Sequence, residues 1–462
     1  MEVKFVSVDH IKPSSSTPSH LRTFKLCLLD QLIPSPNAPL ILFYPPTNDH
    51  VSDKLESLKK SLSETLTRFY PLAGKIKGDF SIDCNDEGAY FVEVKVDSSL
   101  TGFLNQPDYL VLLQKLLPCD LNLVAVKDDD NNNNHVTNIQ VNVFECGGIA
   151  IGLCISHKIL DGTALSAFIR SWAAMARDLD EEGIQSEILV NAASTLFPAN
   201  DEELWLRDTS LAMFGSFFTK GECVTKRFVF DASAITALKS KASSSSSAVV
   251  KNPTRVEAVS AFIWRCIIAA SKEENGGVSR PSLTTHLVNL RRRTTPFLSE
   301  NCLGNLLWVA SAKAPAGDDD DDVAELCDLV GLLRESFSKI DGEFVKRMRG
   351  EKGRRLMEES LKGIIEERGG LIRDGHEEEV NQVGFSSWCK FGFYEADFGW
   401  GKPAWVTSYG IRGSVFMRLV ILVDTRLGDG IEAWVTLDER HMAIMETNTQ
   451  LRQLAKVDPS PF

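Results

Sequence analysis

Between Ile139 and Met175 the apolar residues keep one period across a glycine turn and then switch to another within forty positions, which leaves few folds open to this stretch. Ile139, Val141 and Val143 alternate with Asn and Gln. After Cys146-Gly147-Gly148 the alternation resumes at Ile149, Ile151, Leu153 and Ile155. Period two on both sides of a glycine turn predicts a β-hairpin. Its second strand runs straight into His157. From Asp161 onward, Leu165, Phe168, Ile169, Trp172 and Met175 recur at helical spacing. The pattern therefore places a histidine at the end of a strand, just ahead of a helix.

The same switching recurs along the chain. Val51, Leu55, Leu58, Leu62, Leu66 and Phe69 form the stripe of an amphipathic helix that Pro71 stops. Phe91, Val92, Val94 and Val96 predict a strand. The second half carries expected strands over 227–230, 286–290, 306–310 and 416–423, with helices over 255–270 and 323–337 and a charged helical region after them. Strands and helices mixed in both halves imply an α/β or α+β class. A chain of 462 residues exceeds what one hydrophobic core usually organises, so two domains are expected, with an active site between them. The crossing is placed around Phe197-Pro198-Ala199-Asn200-Asp201, giving domains over 1–195 and 223–462 and a crossover over 196–222. Three low-complexity runs, 128–134, 243–247 and 318–322, are expected to be solvated loop insertions.

Composition narrows the function classes. An apolar fraction of 43% and a charged fraction of 24% are ordinary for a globular protein. The net charge of −13 repels phosphate backbones and argues against nucleic acid as a partner. The ten cysteines form no CxxC pair and no Cys/His cluster at zinc spacing, so no metal site is expected, and reduced thiols in the cytoplasm fit best. No signal peptide and no apolar run of membrane-spanning length is evident, so no membrane insertion is expected.

Two segments carry chemistry. In Ser156-His157-Lys158-Ile159-Leu160-Asp161-Gly162, the imidazole of His157 can take the proton of an attacking alcohol, which general-base catalysis makes worth roughly 10²–10⁴ in rate. Asp161 precedes Gly162 and a helical run, the position of an N-cap, and is read as structural. Cys154 is close in sequence, but strand alternation puts it with Ser156 on the face opposite His157. More than two hundred residues on stands Asp397-Phe398-Gly399-Trp400-Gly401-Lys402-Pro403.

With these two signatures the chain resembles the plant BAHD acyltransferases over nearly its full length. The segments 68–74, 255–265 and 288–291 resemble the family's other blocks. Ser386-Ser387-Trp388-Cys389, Tyr394-Glu395-Ala396-Asp397 and Leu26-Cys27-Leu28-Leu29-Asp30-Gln31 are most similar to the branch containing vinorine synthase and salutaridinol acetyltransferase. The resemblance implies an α/β fold of two chloramphenicol-acetyltransferase-like domains, each a mixed sheet with flanking helices, with the active-site channel between them. It implies His157 as general base and Asp161 turned away to pair with Arg291. Asp397, Gly399 and Trp400 would shape a loop near the site. Ser386 and Trp388 would be oxyanion or substrate donors by similarity to hydroxycinnamoyltransferases, and Thr254 and Ser260 are candidates for coenzyme A contact, at a helix start whose N–H groups favour phosphate. The expected activity is O-acylation of a hydroxyl on a plant specialised metabolite such as an alkaloid or terpenoid, by direct attack in a ternary complex. Acyl-CoA, by the branch acetyl-CoA, is the expected cosubstrate, with no tightly bound cofactor, a small-molecule alcohol as acceptor, and a monomer in solution. The competing readings are a phenolic or sugar alcohol taking a longer or aromatic acyl group, and a binding homologue without turnover. A peptide-synthetase condensation domain shares the histidine motif, but Ser156 stands where its first histidine would be.

Overall fold

The two alternating runs pair as an antiparallel hairpin, Thr137–Phe144 against Ile149–Ser156. This is seen in a computed structural model that describes residues 1–33, 37–78, 80–118, 135–177, 188–200, 202, 205–207, 209–210, 218–244, 250–317, 324–349, 351–368, 380–408 and 415–461. Gly147 takes φ of +80° in the connecting turn, a left-handed geometry that a side chain would strain. The hairpin is the centre of a six-stranded sheet in the order Val3–Ile11, Ala89–Val96, Thr137–Phe144, Ile149–Ser156, Asn37–Tyr44, Trp405–Thr407. Ala89–Val96 and Thr137–Phe144 run parallel and the other neighbours antiparallel.

Helices Val51–Arg68 and Gly162–Ala176 cover one face of this sheet. Leu58, Leu62 and Leu66 from the first, with Phe168, Ile169 and Trp172 from the second, are almost completely buried. Each such side chain contributes about 1.5–3 kcal/mol of hydrophobic stabilisation. The Trp172 indole N–H donates to the Leu58 carbonyl at 3.1 Å, so the two helices are also tied by a polar contact.

A seven-stranded sheet follows in the order Leu307–Ala314, Ser282–Asn289, Asn381–Ser387, Leu419–Asp424, Ile431–Asp438, Cys223–Phe230, Lys456–Val457. It is also mixed, with Asn381–Ser387 parallel to both its neighbours. Helix Arg255–Glu274 continues four residues past the expected Ala270 and packs on this sheet with Ala232–Ser243, Leu326–Ser338 and Glu439–Thr447. The strand expected over 416–423 is two strands. Val415–Met417 pairs with Phe218–Lys220, and Leu419–Asp424 belongs to the large sheet. The break falls at Arg418, whose guanidinium reaches Asp438 at 2.8 Å, and apolar alternation alone cannot register a change of sheet.

The faces of the two sheets left bare by these helices meet in a shared core that includes Ile41, Phe43, Ala150, Trp405, Val423 and Trp434. At its edge the buried Arg227 pairs with Glu432 at 3.0 Å. Glu432 also accepts the Trp405 indole N–H at 3.1 Å, and Arg227 donates to the Tyr109 hydroxyl at 3.1 Å. Since Trp405 is the edge of the first sheet, this network joins the halves.

The runs 128–134 and 318–322 lie outside the described residues, as do most of 243–247 and parts of the crossover over 196–222. Among the described residues no helix is long and apolar enough to cross a membrane.

Candidate active site

His157 is the first residue after strand Ile149–Ser156 and is half-buried. Its Nδ1 lies 3.1 Å from Oδ1 of Asn305, and the Asn305 side-chain N–H donates back to the His157 carbonyl at 2.7 Å. An amide oxygen has no proton to give, so Nδ1 carries the hydrogen and donates it to Asn305. The lone pair of the ring is then on Nε2. That is the protonation state a base needs.

Asp161 makes no contact with the His157 ring. One carboxylate oxygen accepts the Ala164 N–H at 2.9 Å and caps helix Gly162–Ala176. The other accepts from Arg291 at 2.6 Å and from the Leu306 N–H at 3.0 Å. Arg291 has no exposed surface, and its second nitrogen donates to the carbonyls of Cys302 at 2.8 Å and Gly304 at 3.0 Å. The ion pair thus fastens the strand end, the helix start and the 302–306 turn to one another. Gly162 is constrained as well: a Cβ there would sit 2.6 Å from the Phe391 ring.

Phe391 belongs to the segment that follows strand Asn381–Ser387, and its carbonyl accepts the Ser166 hydroxyl. The segment carrying Ser386 and Trp388 is therefore docked on the first turns of the helix behind His157. Both residues are half-buried, and neither the Ser386 hydroxyl nor the Trp388 indole N–H has a partner among the described residues. The Trp388 backbone N–H donates to Leu422 at 2.7 Å, and its ring meets Phe393 edge-on at 6.0 Å.

The Asp397–Gly401 loop packs on the first sheet's helical side. Asp397 accepts the N–H groups of Gly399 at 2.9 Å and Gly401 at 3.0 Å. Those glycines take φ of +102° and +106°. Phe398 is fully buried against Trp172 and stacks on Trp400. Tyr44 donates to the Ala396 carbonyl at 2.7 Å, and Lys54 lies over the Trp400 ring. Oδ1 of Asp397 thus holds its own loop's backbone, and Phe398 and Trp400 pack it against the helices.

Thr254 is exposed and caps helix Arg255–Glu274 in a reciprocal pair: its hydroxyl accepts the Glu257 N–H at 3.2 Å while Glu257 accepts the Thr254 N–H at 2.7 Å. The neighbouring Arg255 is held by Asp424 at 2.7 Å. Ser260 has no exposed surface and its hydroxyl has no partner among the described residues. Cys154 is fully buried and disulfide-bonded, so it is not the reduced thiol expected from the sequence and offers no thiolate. Burial pushes the Cys389 thiol up to about 12. Asn305 went unnoticed in the sequence. The available signal was Gly304, with φ of +116°, as turn punctuation just before a strand.

A half-buried imidazole with Nδ1 held by Asn305 suits proton transfer from a hydroxyl at its other nitrogen. The Transferase family model matches residues 1–452. An epi-neemfruitin B 7-O-acetyltransferase of Melia azedarach is 44% identical over the whole of both chains, and a limonoid 7-O-acetyltransferase of Citrus sinensis is 44% identical over the same share. The crystal structure of vinorine synthase superposes with a TM-score of 0.77 at 32% identity, covering 98% of this chain and 99% of that one. The chain belongs to the Transferase family, the BAHD acyltransferases, whose plant members in this comparison are O-acetyltransferases of specialised metabolites.

Proposed function

We propose that the protein transfers an acetyl group from coenzyme A to a ring hydroxyl of a limonoid-type triterpenoid, with His157 as general base. The observation that carries the mechanism is the Asn305 contact, which occupies Nδ1 and leaves Nε2 for the substrate. The acceptor class rests on the two full-length relatives at 44% identity, both named as 7-O-acetyltransferases, one of epi-neemfruitin B and one of a limonoid. A 13-O-acetyltransferase of an N-methylcanadine from Papaver somniferum stands further off, at 36%.

In the mechanism the acceptor O–H gives its proton to Nε2 of His157 as its oxygen bonds to the thioester carbonyl carbon. The carbonyl oxygen takes the negative charge, and Ser386 and Trp388 supply the donors that stabilise it. Collapse breaks the C–S bond, and the leaving sulfur takes the proton back from His157. No group on the protein is acylated. Thr254 is the better placed of the two coenzyme A candidates, since contact with Ser260 would require its helix to move.

The test is a product screen by mass spectrometry, pairing acetyl-, malonyl- and cinnamoyl-type thioesters with limonoid, alkaloid, phenolic and sugar alcohols. Acetylated limonoid as the dominant product is expected. A dominant aromatic ester, or turnover on phenolics alone, would overturn the assignment.

A further inference from the structure

We propose that Asp30 is a positioning residue that fixes the tautomer of His157 through Asn305. Asp30 lies in the short helix Leu28–Gln31 and has no exposed surface. One of its carboxylate oxygens accepts two hydrogens from Asn305, from the backbone N–H at 2.6 Å and from the side-chain amide at 2.9 Å. The other accepts the Cys27 N–H at 3.0 Å. Burial raises the carboxyl from its ordinary value, and the Cys27 and Asn305 donors pull it back down.

The orientation of an asparagine amide is decided by its neighbours, because its oxygen and nitrogen ends have nearly the same shape. Left to the imidazole alone, Asn305 could accept from a protonated Nδ1 or donate to a bare one. Either arrangement makes a hydrogen bond. Two acceptor-only groups break this symmetry, the His157 carbonyl at 2.7 Å from the amide nitrogen and the Asp30 carboxylate at 2.9 Å, and of these only Asp30 carries a full negative charge. With Asp30 ionised, the Asn305 NH₂ is drawn to Asp30 and to the His157 carbonyl. The oxygen must then face Nδ1, and the proton must sit on Nδ1. Asp30 touches neither substrate nor the imidazole, yet it determines which ring nitrogen is a base.

A neutral amide at position 30 leaves only the His157 carbonyl to orient Asn305, since it can also donate to Asn305 and let the amide turn over. The turned amide donates to Nδ1, which moves the ring proton to Nε2. That tautomer cannot accept from the alcohol at Nε2.

This inference rests on His157 acting through Nε2, and the test separates the two. Imidazole nitrogen shifts of the isotope-labelled full chain, with His157→Gln used to assign the signal, report the tautomer without any substrate. The wild-type ring is expected with its hydrogen on Nδ1, and Asp30→Asn with a mixture of tautomers. The Asp30→Asn kcat should fall about tenfold or more, within the ~10²–10⁴ that a general base supplies, while KM for both substrates stays within about twofold. If Asp30→Asn does not fold, the smaller Asp30→Ser is read in the same way. A folded variant that keeps the wild-type tautomer overturns the proposal, whatever happens to its melting temperature. Wild-type turnover in His157→Ala would instead sink the base assignment and leave the tautomer assignment intact.

Discussion

Arg291 donates to the Asp161 carboxylate at 2.6 Å with both side chains shut off from solvent. Removing one partner of such a pair strands the other charge, at a cost of about 3–5 kcal/mol. Asp161→Ala and Arg291→Ala should therefore each lose melting temperature and activity together. The double variant should be less destabilised than the sum of the singles. Additive losses in thermal unfolding would remove the coupling. An Asp161→Ala protein that melts like wild type but is inactive would make Asp161 a chemical partner of His157.

His157→Ala is expected to bind coenzyme A normally, melt near the wild-type temperature and lose at least about a hundredfold in turnover. Steady-state kinetics beside calorimetric titration with coenzyme A give both quantities. Turnover within a few-fold of wild type takes His157 out of the chemistry.

Incubation with acyl donor alone should leave the protein mass unchanged. Cys154 is held in a disulfide, and burial pushes Cys266 up to about 12 and Cys302 to about 11. None of these is an activated thiolate near neutral pH. An adduct formed and discharged at the rate of turnover would establish a two-step mechanism instead.

His286 offers a pH test away from the chemistry. Its ring stacks on Phe385 at 4.6 Å, and burial lowers its value to about 3. With the folded value depressed below the ordinary 6.5, the unfolded chain binds the proton first. Stability is then fully present above pH 6.5 and is lost as pH falls toward 3, by up to about 1.4 kcal/mol per pH unit for one group. His286→Phe should show a shallower acid loss than wild type across this window. Parallel melting curves against pH would mean that the ring does not titrate as described.

Gly162→Ala tests the docking of the 386–391 segment. The added methyl meets the Phe391 ring, and overpacking of this kind costs about 1–3 kcal/mol. Activity should fall with stability, and Phe391→Leu in the same chain should restore part of both. An alanine variant indistinguishable from wild type would show that the ring yields freely.

The hairpin and the helix after it could be read from the sequence because large apolar residues alternate with polar or smaller ones along the strands and recur at three and four along the helix, even though both strands are buried at nearly every position. Strand Asn37–Tyr44 escaped that reading. Leu40, Ile41, Leu42 and Phe43 are buried on both faces, so the run has no period to detect. The contacts that define the state of His157 were out of reach for a different reason. Asn305 lies 148 residues from His157 and 275 from Asp30, and only the closed fold brings them together. The two signature motifs identified the chemistry, while the residues that orient it sit in a glycine turn and a four-residue helix with no spacing of their own.

Strand Trp405–Thr407 closes a sheet whose other five strands all precede residue 157. On the ribosome that closure has to wait. Tyr44 emerges early, but the carbonyl its hydroxyl binds, Ala396, is 352 residues further on. At roughly 5–20 residues per second of synthesis the interval is about 18–70 s. During that time the edge of Asn37–Tyr44 has backbone hydrogen-bonding groups with no strand beside them, and the pocket for Phe398 is unfilled. The first sheet thus stays open at one edge until nearly nine-tenths of the chain has been made, and a truncation series is expected to change abruptly in solubility as residue 407 leaves the exit tunnel.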